Sequence, residues 1–303
     1  MSRPVCIVGG FGQIGERLTR VFSAHGRPAI PTYCRHERPG AVQLDASDAG
    51  ATARLMRQLN PWLIINSLNA KGGTDACEAD PALARRVHFE TARNLIDAAA
   101  QVGARFVQIS TDYVFDGRQG PYAEDDSPAP LSQLGRAKLA AERYALGQSS
   151  EALVIRTSFV FSWTPESSTK NFVMQLLAND QSGTVMPVPN DQVGNVTYAP
   201  NLAQALVELV ERGATGIFHV AGTTRCSKYE WALRVAERFG LRQELVRGVS
   251  TAEMGQVGPR PLKSGFRLEK VKALLRTTQL MSLDEGLAEM ASEMRAIEPV
   301  AHP

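Results

Sequence analysis

The chain has 303 residues, 44% apolar, 21% charged and 7% aromatic, with 33 basic and 31 acidic side chains and a formal net charge of +2. This is the composition of a globular protein with an ample core, in one large domain or two joined ones; it excludes a collagen-like chain, a coiled-coil rod and a disordered tail. A charge so near zero leaves no footprint for bulk nucleic-acid binding, and no apolar run approaches the roughly 20 residues needed to span a bilayer.

The opening residues enter an apolar segment at once and lack a small-residue cleavage site, which reads as a mature, cytoplasmic N-terminus. Continuous apolar runs at Val5–Val8, Leu63–Asn66, Phe106–Ser110 and Leu153–Arg156 read as buried parallel strands. A further strand, near Ala29–Tyr33, is weakened by Pro28 and Pro31. Between the strands lie amphipathic segments at Ile14–Ala24, Ala82–Val102 and Arg136–Leu146. Strand and helix alternating in this way predict an α/β fold: a Rossmann-type, doubly wound parallel sheet with helices on both faces. After Phe161 the texture changes. Residues 162–195 are loop-rich, with a helical stretch at Phe172–Leu177; Ala199–Arg212 reads as a helix and Gly216–Val220 as a strand. From Lys228 onward, helix-like segments flank a Pro- and Gly-containing stretch at 255–265. The expected organisation is a nucleotide-binding domain over 1–161, with 196–222 returning to it. A smaller C-terminal substrate-binding part then comprises 162–195 and 223–303. Cys6, Cys34, Cys77 and Cys226 form no CxxC pair and are spread over more than 200 residues, so reduced structural thiols are expected, not a disulfide framework or a zinc site.

Gly9, Gly12 and Gly15 form a GxxGxxG loop between the first strand and the first helix, a segment that also carries Phe11, Gln13 and Ile14. Small residues let backbone approach a pyrophosphate, and free N–H groups at a helix start favour anions. Past the second strand, in Tyr33-Cys34-Arg35-His36-Glu37-Arg38, the first charge met is Arg35, and Arg38 follows. Guanidinium groups suit a ribose 2′-phosphate, so NADP(H) is preferred to NAD(H). Asp45 has two readings: a bond to the adenine amino group, or a cap on the next helix.

The run Ser110-Thr111-Asp112-Tyr113-Val114-Phe115-Asp116-Gly117 resembles a signature of the dTDP-4-dehydrorhamnose reductase family, a branch of the extended short-chain dehydrogenases/reductases. Asp75–Glu78, Gly120-Pro121-Tyr122, Arg156-Thr157-Ser158, Lys170–Val173, Asp191-Gln192 with Gly194 and Thr197, and Arg260-Pro261 with Ser264 carry the similarity nearly end to end. The resemblance implies a threonine that polarises a ketone, a tyrosine that donates a proton as hydride arrives from NADPH, and a lysine that binds the nicotinamide ribose. Thr111 matches the first role and Lys138 the last. It also implies a nucleotide-linked or related sugar as substrate, with Asn171, Gln192 and Arg260 as contacts, and family habit suggests a homodimer. No metal site and no nucleic-acid motif stands out.

The tyrosine is missing. Where the family reads Y-G-x-x-K, this chain reads Leu134-Gly135-Arg136-Ala137-Lys138, and none of its seven lysines has a tyrosine four residues before it. General acid catalysis is worth ~10²–10⁴-fold in rate. Substitute donors are Tyr113, Lys138 through water, and His88, which stands where the family has asparagine. Asn66–Lys71 and Val196 also depart from the family's pattern. Three readings stay open: a reductase with a non-tyrosine proton donor; a cofactor-binding pseudoenzyme or regulatory subunit; and a non-reductive reaction (elimination, epimerisation or cyclisation) in the same pocket.

Overall fold

The computed structural model describes residues 3–164 and 171–297. Its centre is a seven-stranded sheet formed by β1 (Val5–Val8), β2 (Ala29–Tyr33), β3 (Val42–Gln43), β4 (Leu63–Asn66), β5 (Arg105–Thr111), β6 (Leu153–Thr157) and a late strand, Gly216–His219. All its pairings are parallel, in the order Gly216–His219, β6, β5, β4, β1, β2, β3. The sheet is covered on both faces. Ile7, Leu18, Phe22, Ile65, Val107 and Ile155 belong to one core, while Cys6, Val8, Ile64, Leu95 and Phe106 belong to the other. Alternate residues of one strand therefore feed opposite layers, which is why these strands read as unbroken apolar runs. Pro31 is tolerated in β2 because it pairs with Ile7 of β1, while pairing with β3 begins only at Thr32.

The helices on this sheet are α1 (Gln13–Ala24), α2 (Ala49–Leu59), α3 (Gly73–Ala79), α4 (Pro81–Ala84), α5 (Thr91–Val102) and α6 (Gln133–Gln148). The single helix expected over 82–102 is interrupted: Arg85–Glu90 is a π-helical stretch between α4 and α5. Thr91 supplies the reason. Its N–H bonds Arg86 O, five residues back, while its hydroxyl takes Val87 O at 2.6 Å, the acceptor an α-turn would have used. A third core packs Phe161, Val173, Trp231, Val235 and Leu287, drawing on α7 (Phe172–Ser182), α9 (Lys228–Phe239) and α11 (Leu283–Ile297), while α8 (Ala199–Glu211) and α10 (Glu269–Leu274) pack into the first sheet core through Leu202, Leu206 and Val271.

The strand order reverses direction at β1, whose neighbours are β2 and β4. The crevice beyond the carboxyl ends of strands at such a point is the usual ligand site of an open α/β sheet. Here it opens between the loop after β1 and the loop after β4.

Candidate active site

The glycine loop turns directly from β1 into α1. A Cβ on Gly15 would lie 2.3 Å from Gly9 O, so only glycine lets the first turn of α1 fold back against the loop. Gly9, Phe11, Gly12, Gln13 and Ile14 line a cavity of about 710 Å³, and the Gln13 amide nitrogen is buried with no hydrogen-bond partner. A close backbone turn and an unspent donor at a helix start fit a dinucleotide pyrophosphate. Gly9 and Leu68 also line a second cavity of about 270 Å³ with Tyr33, Arg35, Asp45 and Arg86. This slot at the end of β2 has the position of an adenosine site. Arg38 does not line it; its guanidinium lies 5.7 Å from the Phe11 ring centre. Asp45 is not the helix cap. Asp48 caps α2 by accepting from Ala51 N, while Asp45 accepts from Ser47, whose hydroxyl and amide hold its carboxyl below the usual range. Arg86 was not singled out from the sequence; its π-helical stretch lies far along the chain from β2.

The larger cavity runs from the glycine loop to a chamber at the end of β5. Thr111 closes β5, accepts from Tyr113 N at 3.2 Å and donates to Asp112 Oδ1 at 3.1 Å. Lys138 and Leu134 lie one turn apart on α6, on the same face, and both line the chamber. The close approach of α6 depends on Gly135, where a Cβ would sit 2.2 Å from Tyr113 O. The Ser132 hydroxyl caps the helix by accepting from Gly135 N. Further along, Glu142 is fixed by the fully buried Arg156 of β6, with the closest N–O distance 2.7 Å, and accepts from Ser110 Oγ. The pair moors α6 to the sheet and so sets the height of Lys138. Lys138 Nζ donates to Leu68 O at 3.1 Å and Ile109 O at 3.0 Å, and burial lowers its pKa to about 8.

The other proton-donor candidates differ in access. His88 is 1% exposed, does not line the chamber, and neither ring nitrogen has a partner. Burial, with the Lys138 charge nearby, pushes its pKa down to about 2, so the ring carries no extra proton at neutral pH. Tyr113 lines the chamber, but burial and the neighbouring Asp112 push its phenol up to about 12. The structure does not bring Asn171, Gln192 or Arg260 to the cavity lining. Asn171 caps α7 and donates to Ser162 O at 2.7 Å. Gln192 donates to Thr251 and Gln256. Arg260 pairs with Asp75 at 2.7 Å.

Sequence reasoning missed Lys228, the first residue of α9, which lines the same cavity as Thr111 and Lys138. The Ser227–Glu230 capping box marks where its helix starts, yet no local spacing places that start near Thr111.

The sequence profile described as RmlD substrate binding domain matches residues 3–296. The chain belongs to that family. Among relatives of this RmlD-type chain, the dTDP-4-dehydrorhamnose reductase of Mycobacterium tuberculosis is 33% identical over 265 residues, covering 86% of this chain and 83% of the relative. The methionine adenosyltransferase 2 subunit beta of Xenopus tropicalis is 28% identical, covering 99% and 92%. The crystal structure of the Bacillus anthracis dTDP-4-dehydrorhamnose reductase in complex with NADP superposes with a TM-score of 0.86 at 27% identity, covering 97% of this chain and all of that one. The Rossmann-like sheet expected from the sequence is thus the family's sheet. Among the described residues, no helix is long and apolar enough to cross a membrane.

Proposed function

We propose that the protein is an NADPH-dependent oxidoreductase that reduces a keto group on a nucleotide-linked or related sugar. One observation carries the reading: the adenosine slot adjoins the cavity that runs from the glycine loop to the Thr111–Lys138 chamber, with Gly9 and Leu68 lining both. NADPH, when bound, supplies hydride to the substrate carbonyl carbon.

The chain's residues do the remaining work. Backbone of the Gly9–Gly15 loop and the Gln13 amide take the pyrophosphate. Arg35, with Arg86 in the same lining, takes the ribose phosphate; Asp45 borders the adenosine slot. Lys138, pinned by two backbone carbonyls, presents its remaining N–H to the nicotinamide ribose. The Thr111 hydroxyl turns from Asp112 to the carbonyl oxygen and polarises it. Residues 1–161 with 196–222 hold the cofactor, and 162–195 with 223–303 close the substrate side.

The test is consumption of NADPH, followed by absorbance, with a dTDP-4-keto-6-deoxy sugar. Turnover by the wild type, lost in Thr111→Ala, is expected. Tight NADPH binding with no turnover of keto sugars, as for a regulatory subunit, would overturn the reading.

A further inference from the structure

Leu134 occupies the position at which the chamber needs a proton source, and a leucine has none to give. Four groups that line the same cavity as Leu134 carry a titratable proton: Lys138, Tyr113, Asp112 and Lys228; Lys71 also lines the cavity but is exposed. Lys138 is engaged by two backbone carbonyls, and Asp112 accepts from Thr111. Lys228 differs. Among the described residues its ammonium has no hydrogen-bond or ion-pair partner; Nζ lies over the Phe159 ring, 5.3 Å from the ring centre. That ring is held in place from several sides. Phe159 takes a left-handed backbone conformation (φ +43°), one that a bulky side chain rarely adopts and that its packing must hold in place. Gly194 leaves the ring room, and Trp231 stacks on it at 5.9 Å.

We propose that the Lys228 ammonium is the proton donor to the substrate's reduced oxygen, filling the role that Leu134 vacates. The proposal rests on the reductase reading above. The step balances simply. Hydride passes from NADPH to the carbonyl carbon, the C=O π pair moves to oxygen, and one Lys228 N–H bond breaks as the O–H bond forms. The products are the alcohol, NADP⁺ and a neutral amine, which takes a proton from water at the cavity mouth.

The surroundings suit the role. Burial and the nearby Arg260 lower the Lys228 pKa to about 8, against the opposing pull of Asp112 and Asp75. Asp112 is itself raised to about 6 by burial, with the Ser264 and Thr111 hydroxyls pulling it back. The ammonium is thus charged at neutral pH and close to the driving-force optimum for giving its proton up. Arg260, Asp112 and Asp75 are the charged groups that act on it, and the same three act on the Tyr113 phenol.

The experiment compares wild type, Lys228→Met, Lys228→Arg and the double variant Lys228→Arg with Leu134→Tyr in NADPH turnover with a keto sugar nucleotide. Arginine keeps the charge but holds its protons at any working pH. Both single variants are expected to lose ~10²–10⁴-fold in kcat, with NADPH affinity measured by fluorescence unchanged. Adding Leu134→Tyr to Lys228→Arg is expected to restore part of the rate. The wild-type rate falls as pH rises through about 8, where the acid is lost; Lys138, also lowered to about 8, adds to that fall, so the variants are compared at about pH 7. Near-wild-type kcat in Lys228→Arg, or a rise in KM alone, overturns the proposal. A wild type that turns over no ketone removes the reductase reading and this proposal with it.

Discussion

At one end of the cleft, binding depends on backbone; at the other, on side chains brought from distant parts of the chain. The glycine loop presents main-chain N–H groups, and its shape is fixed by Gly15 packing against Gly9 O within a few residues of sequence. The chamber is assembled from the end of β5, one face of α6, and the first residue of α9, which are separated by up to 117 positions between Thr111 and Lys228. A backbone cradle tolerates change in most of its side chains. A chamber of side chains can exchange one group, such as a tyrosine for Leu134, and move the missing function to another element.

The largest expected effect falls on the mooring of the chamber. Glu142→Ala leaves the Arg156 charge buried at 1% exposure without its partner, and such breaks cost ~3–5 kcal/mol. A drop of that size in urea-unfolding stability is expected; a change under about 1 kcal/mol would show that α6 is held elsewhere. Next comes Thr111→Ala, which removes one donor to the developing oxyanion. Loss of ~10²–10³-fold in kcat is expected, with NADPH binding retained. An equal loss of cofactor affinity would erase the separation of cradle from chamber.

Arg35→Ala sharpens the cradle side. Charge-assisted hydrogen bonds contribute ~1.5–3 kcal/mol, so NADPH affinity by titration calorimetry should fall roughly 10- to 100-fold, with NADH affinity unmoved. Equal losses for both cofactors would place the 2′-phosphate elsewhere. The smallest effect belongs to His88→Leu. Its ring nitrogens have no partners to lose, so unfolding stability should shift by less than about 1 kcal/mol, upward or downward, and turnover should persist. A rate loss as large as that of Thr111→Ala would bring His88 back into the chemistry.

The strands, the glycine loop and the end of β5 were legible because each is a local pattern. Four apolar residues at Val5–Val8 followed by glycines predict a buried strand and a tight turn whatever lies beyond them. The run from Ser110 to Gly117 likewise carries its resemblance within eight residues. The π-helical stretch was not legible, because the Thr91 hydroxyl takes Val87 O in place of water only once the helix is packed. The substrate contacts suggested by family motifs, Asn171, Gln192 and Arg260, are spent on a helix cap, on Thr251 and Gln256, and on Asp75. A motif gives residue type; the hydrogen-bond partner that uses it is decided by neighbours from other segments.

By itself, the sequence determined the alternation of buried strands and amphipathic helices, the position of the cofactor loop, and the absence of a phenol four residues before Lys138. Those are matters of periodicity and identity, readable in one dimension. Only the tertiary structure decided which cation is left free in the chamber. Lys138 and Lys228 are both lysines in helices, alike in the sequence. Packing ties one ammonium to two carbonyls and leaves the other over an aromatic ring without a partner among the described residues, because the low-dielectric interior amplifies such differences in contact.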